Sequence, residues 1–307
     1  MPDTPTIGFR PMTAGDLSVA AHIGRQAMDA LRRSQGEEIE PWLPQTPSSL
    51  AHILCTDPDG AWIGEVNGVA VGYAMSLVRG DIWFLSQLFV HPDQHNHGIG
   101  RELLRRSQEY GTTRGATTFS VIASTSPVAH ALYMRAGMFA TAVAYRMSGP
   151  LEPLLGLPEH AGAERFVDCS AWQDKIAGLD RDVFGAERRE DHAFYLSGEG
   201  VPAEAASFGL SRDGELLGYA YATAGDGFIA PLAARAPGDQ LPLLRMAAGW
   251  LLERGTATGA MLVISHNRVI MEALLAAGWQ CQRWTFLLTS GPFGKFDRYH
   301  PAGGTLL

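Results

Sequence analysis

The stretch VHPDQHNHGIGRELL, from Val90 to Leu104, decides the local fold of this chain. It ends an apolar run, Ile82 to Val90, that predicts a strand, and it carries Gly98 and Gly100 immediately before a helical pattern. Glycine has no Cβ, so its backbone can adopt unusual dihedral angles and approach a ligand closely. Free N–H groups at a helix N-terminus favour anions. The stretch therefore predicts a strand, a turn and a phosphate-binding helix start, although a tight loop without a ligand would also fit.

A second segment, SPVAHALYMRAGM from Ser126 to Met138, predicts another helix after a short apolar strand. Ser126 is a favourable N-cap residue, Pro127 suits the first helical position, and Gly137 suits the position after the helix ends. Tyr133 lies on the apolar face of this helix. Two strand–helix units thus follow one another in the first half of the chain.

Together the two segments resemble the GNAT superfamily of N-acetyltransferases, over about residues 6–148. The family pattern in the second helix is Asn-x-x-Ala-x-x-Leu-Tyr-x-x-x-Gly-Phe. Here the matching residues are Ala129, Leu132, Tyr133 and Gly137, while Ser126 and Met138 replace Asn and Phe. The resemblance implies an α/β fold, in which a mostly antiparallel sheet with a central, splayed parallel strand pair is flanked by helices.

The second half of the chain repeats the same order of strands and helices. We therefore expect two tandem GNAT folds, with an N-terminal domain over residues 6–148 and a C-terminal domain over residues 164–307. Residues 149–163 are rich in proline and glycine and are expected to form a linker. The C-terminal pattern Arg283–Thr289, followed by GPFGKFDRYHPAGG, could complete a sheet or cover the first site.

The two halves differ in the loop that would bind phosphate. Pro237 removes one backbone donor from the second loop, and Asp239 adds a carboxylate beside it. Leu274 stands where the first half has Tyr133. We expect the C-terminal domain to have lost acyl-CoA binding; the alternative is that Arg235 and Asn267 belong to a second working site.

Composition limits the function classes. A net charge of -8 disfavours a general nucleic-acid-binding protein. The chain has no long apolar run and no signal-peptide pattern, so neither a membrane partner nor secretion is expected. Its cysteines, Cys55, Cys169 and Cys281, lie far apart and favour a reducing compartment, the cytoplasm. A monomer or a homodimer would fit the sequence equally well.

The resemblance implies the roles of the site residues. The cosubstrate would be acetyl-CoA, with its pantetheine arm along the main chain of Leu88 and Val90, and Tyr133 would act as the general acid for the leaving thiolate. Tyr133 could instead only pack in the apolar face of its helix. The full set expected to bind the cosubstrate is Leu88, Phe89, Val90, His95, Asn96, His97, Gly98, Ile99, Gly100, Arg101, Ser126, Ala129 and Tyr133.

His95 departs from the family pattern, which has Arg or Gln at this position. A neutral imidazole still donates one hydrogen bond, and histidine as a class changes charge near neutral pH. His91, His95 and His97 also raise the question of a metal site. Their spacing on an irregular loop without nearby cysteines or acids is unsuited to zinc, so no metal is expected.

The acceptor side is less clearly marked. Glu65 is the candidate general base, with an exposed hairpin glutamate or a chain of water molecules as alternatives. Trp42, Trp83 and Ser86 are candidate substrate-binding residues. We expect an N-acetyltransferase acting by direct attack of a small-molecule primary amine in a ternary complex. The alternative function is a non-catalytic acyl-CoA sensor or interaction scaffold.

Overall fold

The computed structural model describes residues 5–39, 48–197 and 204–306, which form two compact units. The first unit comprises Met1–Val121 and Ser126–Ala136, and the second comprises Ile122–Thr125 and Gly137–Leu307. In the part of the chain that the structure describes, no helix is both long enough and apolar enough to cross a membrane.

The first unit has a mixed sheet in the order β1-β2-β3-β4-β5. All neighbouring strands are antiparallel except β4 and β5, which are parallel. The strands are β1 (Ile7–Pro11), β2 (Ala61–Val66), β3 (Val69–Arg79), β4 (Ile82–Val90) and β5 (Thr118–Ala123). The helices are α1 (Leu17–Ser34), α2 (Ser48–Thr56), α3 (Ile99–Thr113) and α4 (Pro127–Arg135).

Helix α3 fixes the end of β4 because its apolar stripe packs on the sheet. Ile99, Leu103 and Leu104 are buried, at the spacing of one helical face. Gly111 is required at the contact with β4, since a Cβ there would lie 2.5 Å from Cδ1 of Trp83. The helix therefore lies close against the sheet, and its N-terminus is held beside the end of β4.

The second unit repeats this architecture, with strand order β12-β6-β11-β10-β9-β8-β7 and β13 paired to β10. Among the described strand pairs of this unit, β10 and β11 are parallel and the others are antiparallel. Its strands are β6 (Phe139–Pro150), β7 (Glu164–Val167), β8 (Ala205–Arg212), β9 (Glu215–Thr223), β10 (Phe228–Ala234), β11 (Thr258–Ile264), β12 (Gln280–Thr289) and β13 (Tyr299–His300). Its helices are α5 (Gln173–Val183), α6 (Arg189–Ser197), α7 (Gln240–Glu253) and α8 (Arg268–Ala276). The expected fold class, two mostly antiparallel sheets that each contain one parallel pair, is confirmed.

Strand β6 pairs differently from the sequence-based expectation. The sequence assigns its residues to the end of the first domain, but β6 pairs with β11 and β12 and lies in the second unit. The segment expected as a linker also packs there, since Leu151 and Leu154 are fully buried in the core of the second unit. A strand pattern shows which residues are extended but not which strand is the partner, so this pairing could not be read from the sequence.

The C-terminal segment belongs to the sheet of the second unit. The pattern Arg283–Thr289 lies within β12, which pairs antiparallel with β6. Beyond it, Tyr299–His300 forms β13, which pairs antiparallel with β10. Of the two alternatives open from the sequence, completion of a sheet is therefore the one observed.

Candidate active site

The first unit contains a strand pair that separates before its carboxyl end. The pairs between β4 and β5 run from Ile82–Thr118 to Leu85–Val121 and stop there. The next residue, Ser86, is the extra residue of a β-bulge, because Leu85 and Gln87 face consecutive residues of β3. Residues 87–90 then pair with β3 alone among the described strands. Crevices of this kind, at the carboxyl ends of parallel strands, are where α/β sheets bind ligands.

The main chain of Leu88 and Val90 faces this crevice. The N–H of His91 donates to the carbonyl of Val71 on β3 at 2.7 Å. Since successive residues of an antiparallel strand point their N–H and C=O groups to opposite edges, Leu88 and Val90 point theirs away from β3. The carbonyl of Val90 is bonded instead to Nε2 of His95, at 3.0 Å. We call the edge of β4 formed by the main chain of Leu88 and Val90 the open edge.

Free backbone donors lie next to the open edge, where α3 begins. Gly98 is the N-cap residue, has a φ of +80°, and provides no side-chain cap. The first four N–H groups of a helix have no partner inside the helix. In the described structure, no hydrogen bond is made by the backbone N–H groups of Asn96, His97, Gly98, Ile99, Gly100 and Arg101. Together with the positive end of the helix dipole, these donors favour a multiply charged anion such as a diphosphate.

The two glycines of this loop have different roles. Gly98 occupies the left-handed region, which residues with a Cβ adopt only under strain. Gly100 does not have a positive φ, and a Cβ there would make only an ordinary contact, 3.6 Å from Cγ2 of Val90. The expectation that both glycines provide unusual backbone dihedrals is therefore correct for Gly98 and wrong for Gly100, which lies inside the regular helix.

Arg101 adds a positive charge to the helix start. Its side chain is exposed and makes no ion pair with any described residue. By contrast, Arg105 bonds to Glu102 at 2.7 Å and also to Glu109, and Arg106 forms an ion pair with Glu102, with Nε 2.9 Å from the carboxylate. Arg101 is therefore the basic residue of α3 that is available to an anion at the helix start.

We expect Arg101→Ala to weaken acetyl-CoA binding about fivefold to tenfold, the usual size of one charge-assisted contact at a solvent-exposed site. The matched control is Arg105→Ala on the same helix, whose guanidinium is already held by two glutamates. Isothermal titration calorimetry of both variants checks this. An equal loss of affinity in the two variants would mean that only the overall charge of α3 matters.

Helix α4 begins after the carboxyl end of β5 and carries Tyr133. The hydroxyl of Ser126 caps the helix by accepting from the N–H of Ala129, at 3.4 Å. Ser126 therefore has a structural role in the helix, whatever else it binds. Tyr133 is only 6% exposed, and its hydroxyl makes no hydrogen bond with any described residue. Burial raises the pKa of Tyr133 well above its usual value, so the hydroxyl keeps its proton at neutral and mildly alkaline pH.

Ser86 lies at the bulge itself. Its side chain is 8% exposed, and its Oγ has no hydrogen-bond partner in the described structure. A buried hydroxyl without a partner costs about 1–3 kcal/mol, so such groups call for an explanation. Its position at the point where β4 leaves β5 is compatible with a contact to a ligand.

Other residues expected at the site lie elsewhere. Glu65 is on β2 and forms an ion pair with Arg10 at 2.8 Å. Trp83 is fully buried against α3, where its Nε1–H donates to the carbonyl of Ser107 at 2.9 Å. The structure therefore does not bring Glu65 or Trp83 to the crevice. Trp42 lies outside the described residues.

The histidines of the loop are not arranged around a common point. Nδ1 of His91 accepts from the N–H of Asp93 at 3.3 Å, whereas His95 bonds to the carbonyl of Val90. His97 is exposed. Among the described residues, no group of three or more His, Cys, Asp or Glu side chains could hold a metal ion.

In the second unit, the two polar residues considered for a second working site have internal partners. Arg235 donates to the carbonyl of Leu216 at 2.8 Å and pairs with Asp182 at 3.1 Å. Asn267 caps α8 through the N–H of Ile270, and its side-chain amide lies 2.6 Å from Oε1 of Gln240. Both side chains therefore stabilise the second unit itself.

His300 belongs to the same buried group, and burial lowers its pKa to about 4. An exposed histidine in the unfolded chain has a pKa of about 6.5. Between these values the unfolded state binds more protons than the folded state, so stability falls as the pH falls. We expect the free energy of unfolding to be about 2 kcal/mol lower at pH 5 than at pH 7 because of His300.

Urea unfolding of the wild type and of His300→Gln at both pH values checks this prediction. The variant lacks the titrating imidazole. The difference between its free energies of unfolding at pH 7 and pH 5 should therefore be smaller than that of the wild type by about 2 kcal/mol. Parallel pH dependence in the two proteins would contradict the assignment.

Sequence reasoning missed a buried ionic cluster in the second unit. Asp180 pairs with Arg188 at 2.8 Å and with His192 at 2.7 Å, and all three side chains are buried. Burial opposes the ionisation of Asp180, but Arg188 and His192 outweigh it and lower its pKa to about 2. Tyr219 donates to the same carboxylate. The sequence carries no signal for this cluster, because its charged residues are not marked as buried by any pattern around them.

Comparisons with known proteins agree with this architecture. Residues 25–138 match the Acetyltransferase (GNAT) family. A search of curated proteins finds no significant match to the chain. A putative acetyltransferase from Pyrococcus horikoshii is similar over 98% of this chain and 94% of its own, with 18% identity and a TM-score of 0.70.

Two further solved structures have the same fold over nearly their full lengths. A tandem GNAT protein from the clavulanic acid biosynthesis pathway is 20% identical, covers 94% of this chain and 99% of its own, and has a TM-score of 0.60. A GCN5-related N-acetyltransferase from Sphaerobacter thermophilus is 19% identical, covers 92% and 95%, and has a TM-score of 0.64. The family match is thus confined to residues 25–138, and over nearly the whole chain the fold is similar to that of GNAT proteins of known structure.

Proposed function

We propose that this protein is an N-acetyltransferase that moves the acetyl group of acetyl-CoA to a primary amine of a small molecule, at a site in the first unit. The observation that carries the proposal is the row of free backbone N–H groups from Asn96 to Arg101 beside the open edge. Acyl-CoA matches both features of this site. Its diphosphate can bind the N–H groups at the helix start, and its amide-containing arm can pair with the main chain of the open edge.

In this proposal the loop and the open edge position the cosubstrate. The N–H groups from Asn96 to Arg101 bind the diphosphate, with Arg101 adding charge. The main chain of Leu88 and Val90 pairs with the pantetheine arm as an added strand would. His95 must release the carbonyl of Val90 if the arm uses that acceptor, so we assign His95 a place at the edge of the site.

The thioester supplies an activated acetyl group. The neutral amine attacks its carbonyl carbon, the carbon–nitrogen bond forms, and the carbon–sulfur bond breaks. A main-chain N–H of the open edge stabilises the negative charge that develops on the carbonyl oxygen. Tyr133 gives its proton to the departing thiolate, the amine nitrogen releases one proton to solvent water, and the Tyr133 phenolate then takes up a proton from solvent, so that the step balances. Because Glu65 is held by Arg10 and β4 contains no carboxylate, the proposal gives no side chain the role of base and requires that the amine arrive neutral.

We also propose that the second unit does not bind acyl-CoA. Asp239 at the start of the corresponding helix accepts from the N–H of Ala236 at 3.3 Å and pairs with His160 at 3.1 Å. A carboxylate therefore already lies where a diphosphate would have to bind, and it would repel one. The second unit then contributes to the stability of the chain.

The test is release of free thiol from acetyl-CoA, measured with a thiol reagent in the presence and absence of a panel of primary amines. Amine-dependent release of thiol with one acetylated product per thiol supports the proposal. Calorimetric binding of acetyl-CoA without thiol release, with or without amines, would favour the acyl-CoA sensor instead. Absence of both binding and release would contradict both functions.

A further inference from the structure

The second unit has an edge that corresponds to the open edge of the first. In the first unit, Gly72 on β3 pairs with Val90 on β4. In the second, Gly218 on β9 pairs with Ala234 on β10. Both glycines begin the sequence Gly-Tyr-Ala, and both strand pairs contain a bulge a few residues before this point. Val90 and Ala234 are therefore equivalent positions in the two sheets.

The backbone directions at these positions agree as well. The N–H of His91 bonds to Val71 on β3, and the N–H of Arg235 bonds to Leu217 on β9, in both cases at 2.7 Å. The residue before each of them must then point its main chain to the opposite edge. In the first unit this is the open edge. In the second unit it is the edge on the β11 side of β10.

That edge of the second unit is filled by the chain itself. The N–H of Ala234 donates to the carbonyl of Arg298 at 3.0 Å. Strand β13 continues the pairing, with Tyr299 opposite Ala233 and His300 opposite Leu232. The C-terminal strand therefore uses the main-chain groups that correspond to those we assign to the pantetheine arm in the first unit.

Buried side chains hold β13 in this position. His300 is fully buried, and its Nε2 lies 2.8 Å from Nδ2 of Asn267 and 3.0 Å from Oε1 of Gln240. On the neighbouring residue, the hydroxyl of Tyr299 accepts from Nη1 of Arg188 at 2.6 Å. Gln240 and Asn267 begin α7 and α8, so β13 is bonded to the starts of both helices that follow the parallel strand pair.

We propose that Arg298–His300 is a permanent internal occupant of the acyl-CoA crevice of the second unit, and that this occupancy limits the protein to one acyl-CoA site per chain. The inference rests on the proposed function, because it takes the open edge of the first unit as the acyl-CoA-binding edge. A strand tethered to its own sheet acts at an effective concentration on the order of mM, so free acyl-CoA at micromolar concentration does not displace it. The C-terminal strand thus replaces the ligand by β-augmentation within one chain.

Hydrogen–deuterium exchange of the full-length protein tests this inference, with the two equivalent edges serving as controls for each other. Without ligand, the amide of Ala234 should exchange at least tenfold more slowly than the amide of Val90. Added acetyl-CoA should slow exchange at Leu88 and Val90 at least tenfold and leave Ala234 unchanged. His300→Ala should speed exchange at Ala234 but not at Val90.

The outcomes separate the inference from the function on which it rests. Exchange at Ala234 as fast as at Val90 without ligand, or slowed at Ala234 by acetyl-CoA, overturns the internal occupancy. If acetyl-CoA does not slow hydrogen–deuterium exchange at Leu88, Val90 and the start of α3, the proposed function is overturned. If His300→Ala speeds exchange equally at Ala234 and Val90, the contacts of His300 do not act on the edge of β10 in particular, and the inference that they hold β13 there is overturned.

Discussion

Replacing Tyr133 with phenylalanine should lower kcat by about 10²- to 10³-fold while changing the Kd for acetyl-CoA by less than about twofold. The substitution removes one oxygen atom and keeps the ring that packs in the apolar face of α4. Because the Tyr133 hydroxyl makes no hydrogen bond with any described residue, its removal should cost little stability. A general acid acts only as the thiolate departs, so its loss should appear in turnover and not in binding.

The pH dependence of the wild type provides a second readout of Tyr133. Burial raises the pKa of its hydroxyl, so the acid stays protonated through the alkaline range in which amines become neutral. The wild-type rate should therefore rise with pH as the amine loses its proton, with no alkaline fall due to Tyr133 below about pH 10, the usual value for tyrosine. An alkaline fall in the wild type below that pH, absent in Tyr133→Phe, would show that the hydroxyl ionises too early for this role.

Tyr110→Phe is the matched control for the loss of a buried hydroxyl. The Tyr110 hydroxyl donates to Oδ1 of Asp57 at 2.7 Å, a contact in the core of the first unit. Its removal should lower the free energy of unfolding by about 1–2 kcal/mol and leave kcat near the wild-type value. If Tyr133→Phe behaved like this control, with stability lost and turnover kept, Tyr133 would be a packing residue.

Local signals in the sequence were sufficient for most elements of the first unit. The apolar run from Ile82 to Val90 has the same bounds as β4. The Ser-Pro pair at 126–127 starts α4 as expected, because an N-cap hydroxyl and a proline at the first helical position act through neighbouring residues only. The free donors at the start of α3 also follow from short-range features, namely a glycine N-cap and the absence of a capping side chain.

Features that depend on distant residues were not predictable. Strand β13 has only two residues, in a glycine- and proline-rich segment without periodicity, and its pairing with β10 joins positions far apart in the sequence. Asp180 and Arg188 look like surface charges, because neither the sequence nor its spacing shows that each will be buried with the other as partner. The same limit applies to Glu65, whose pairing with Arg10 removes it from consideration as a base.

Gly98→Asp should abolish acetyl-CoA binding in practice, with a Kd raised at least about 100-fold. Two effects combine at this residue. The φ of +80° strains any residue that has a Cβ, and the new carboxylate lies among the N–H donors that we assign to the diphosphate. Like charges about 4 Å apart repel by roughly 1–4 kcal/mol near a protein surface. A 100-fold rise in Kd corresponds to about 2.7 kcal/mol, which lies within this range.

Two further variants separate strain from charge. Gly98→Asn has nearly the same shape as Gly98→Asp and tolerates the left-handed region better than most residues, but it adds no charge, so its Kd should rise less than about tenfold. Gly115→Asp introduces the carboxylate at the other end of α3, where φ is +83° and no atom lies within 4 Å of the added Cβ. It should lose stability through the same backbone strain and keep wild-type affinity.

Calorimetry should then give one site per chain for the wild type and for Gly115→Asp, and none for Gly98→Asp. A site that survives Gly98→Asp would mean that the free amides at the start of α3 do not bind the diphosphate, and two sites in the wild type would mean that the second unit also binds acetyl-CoA.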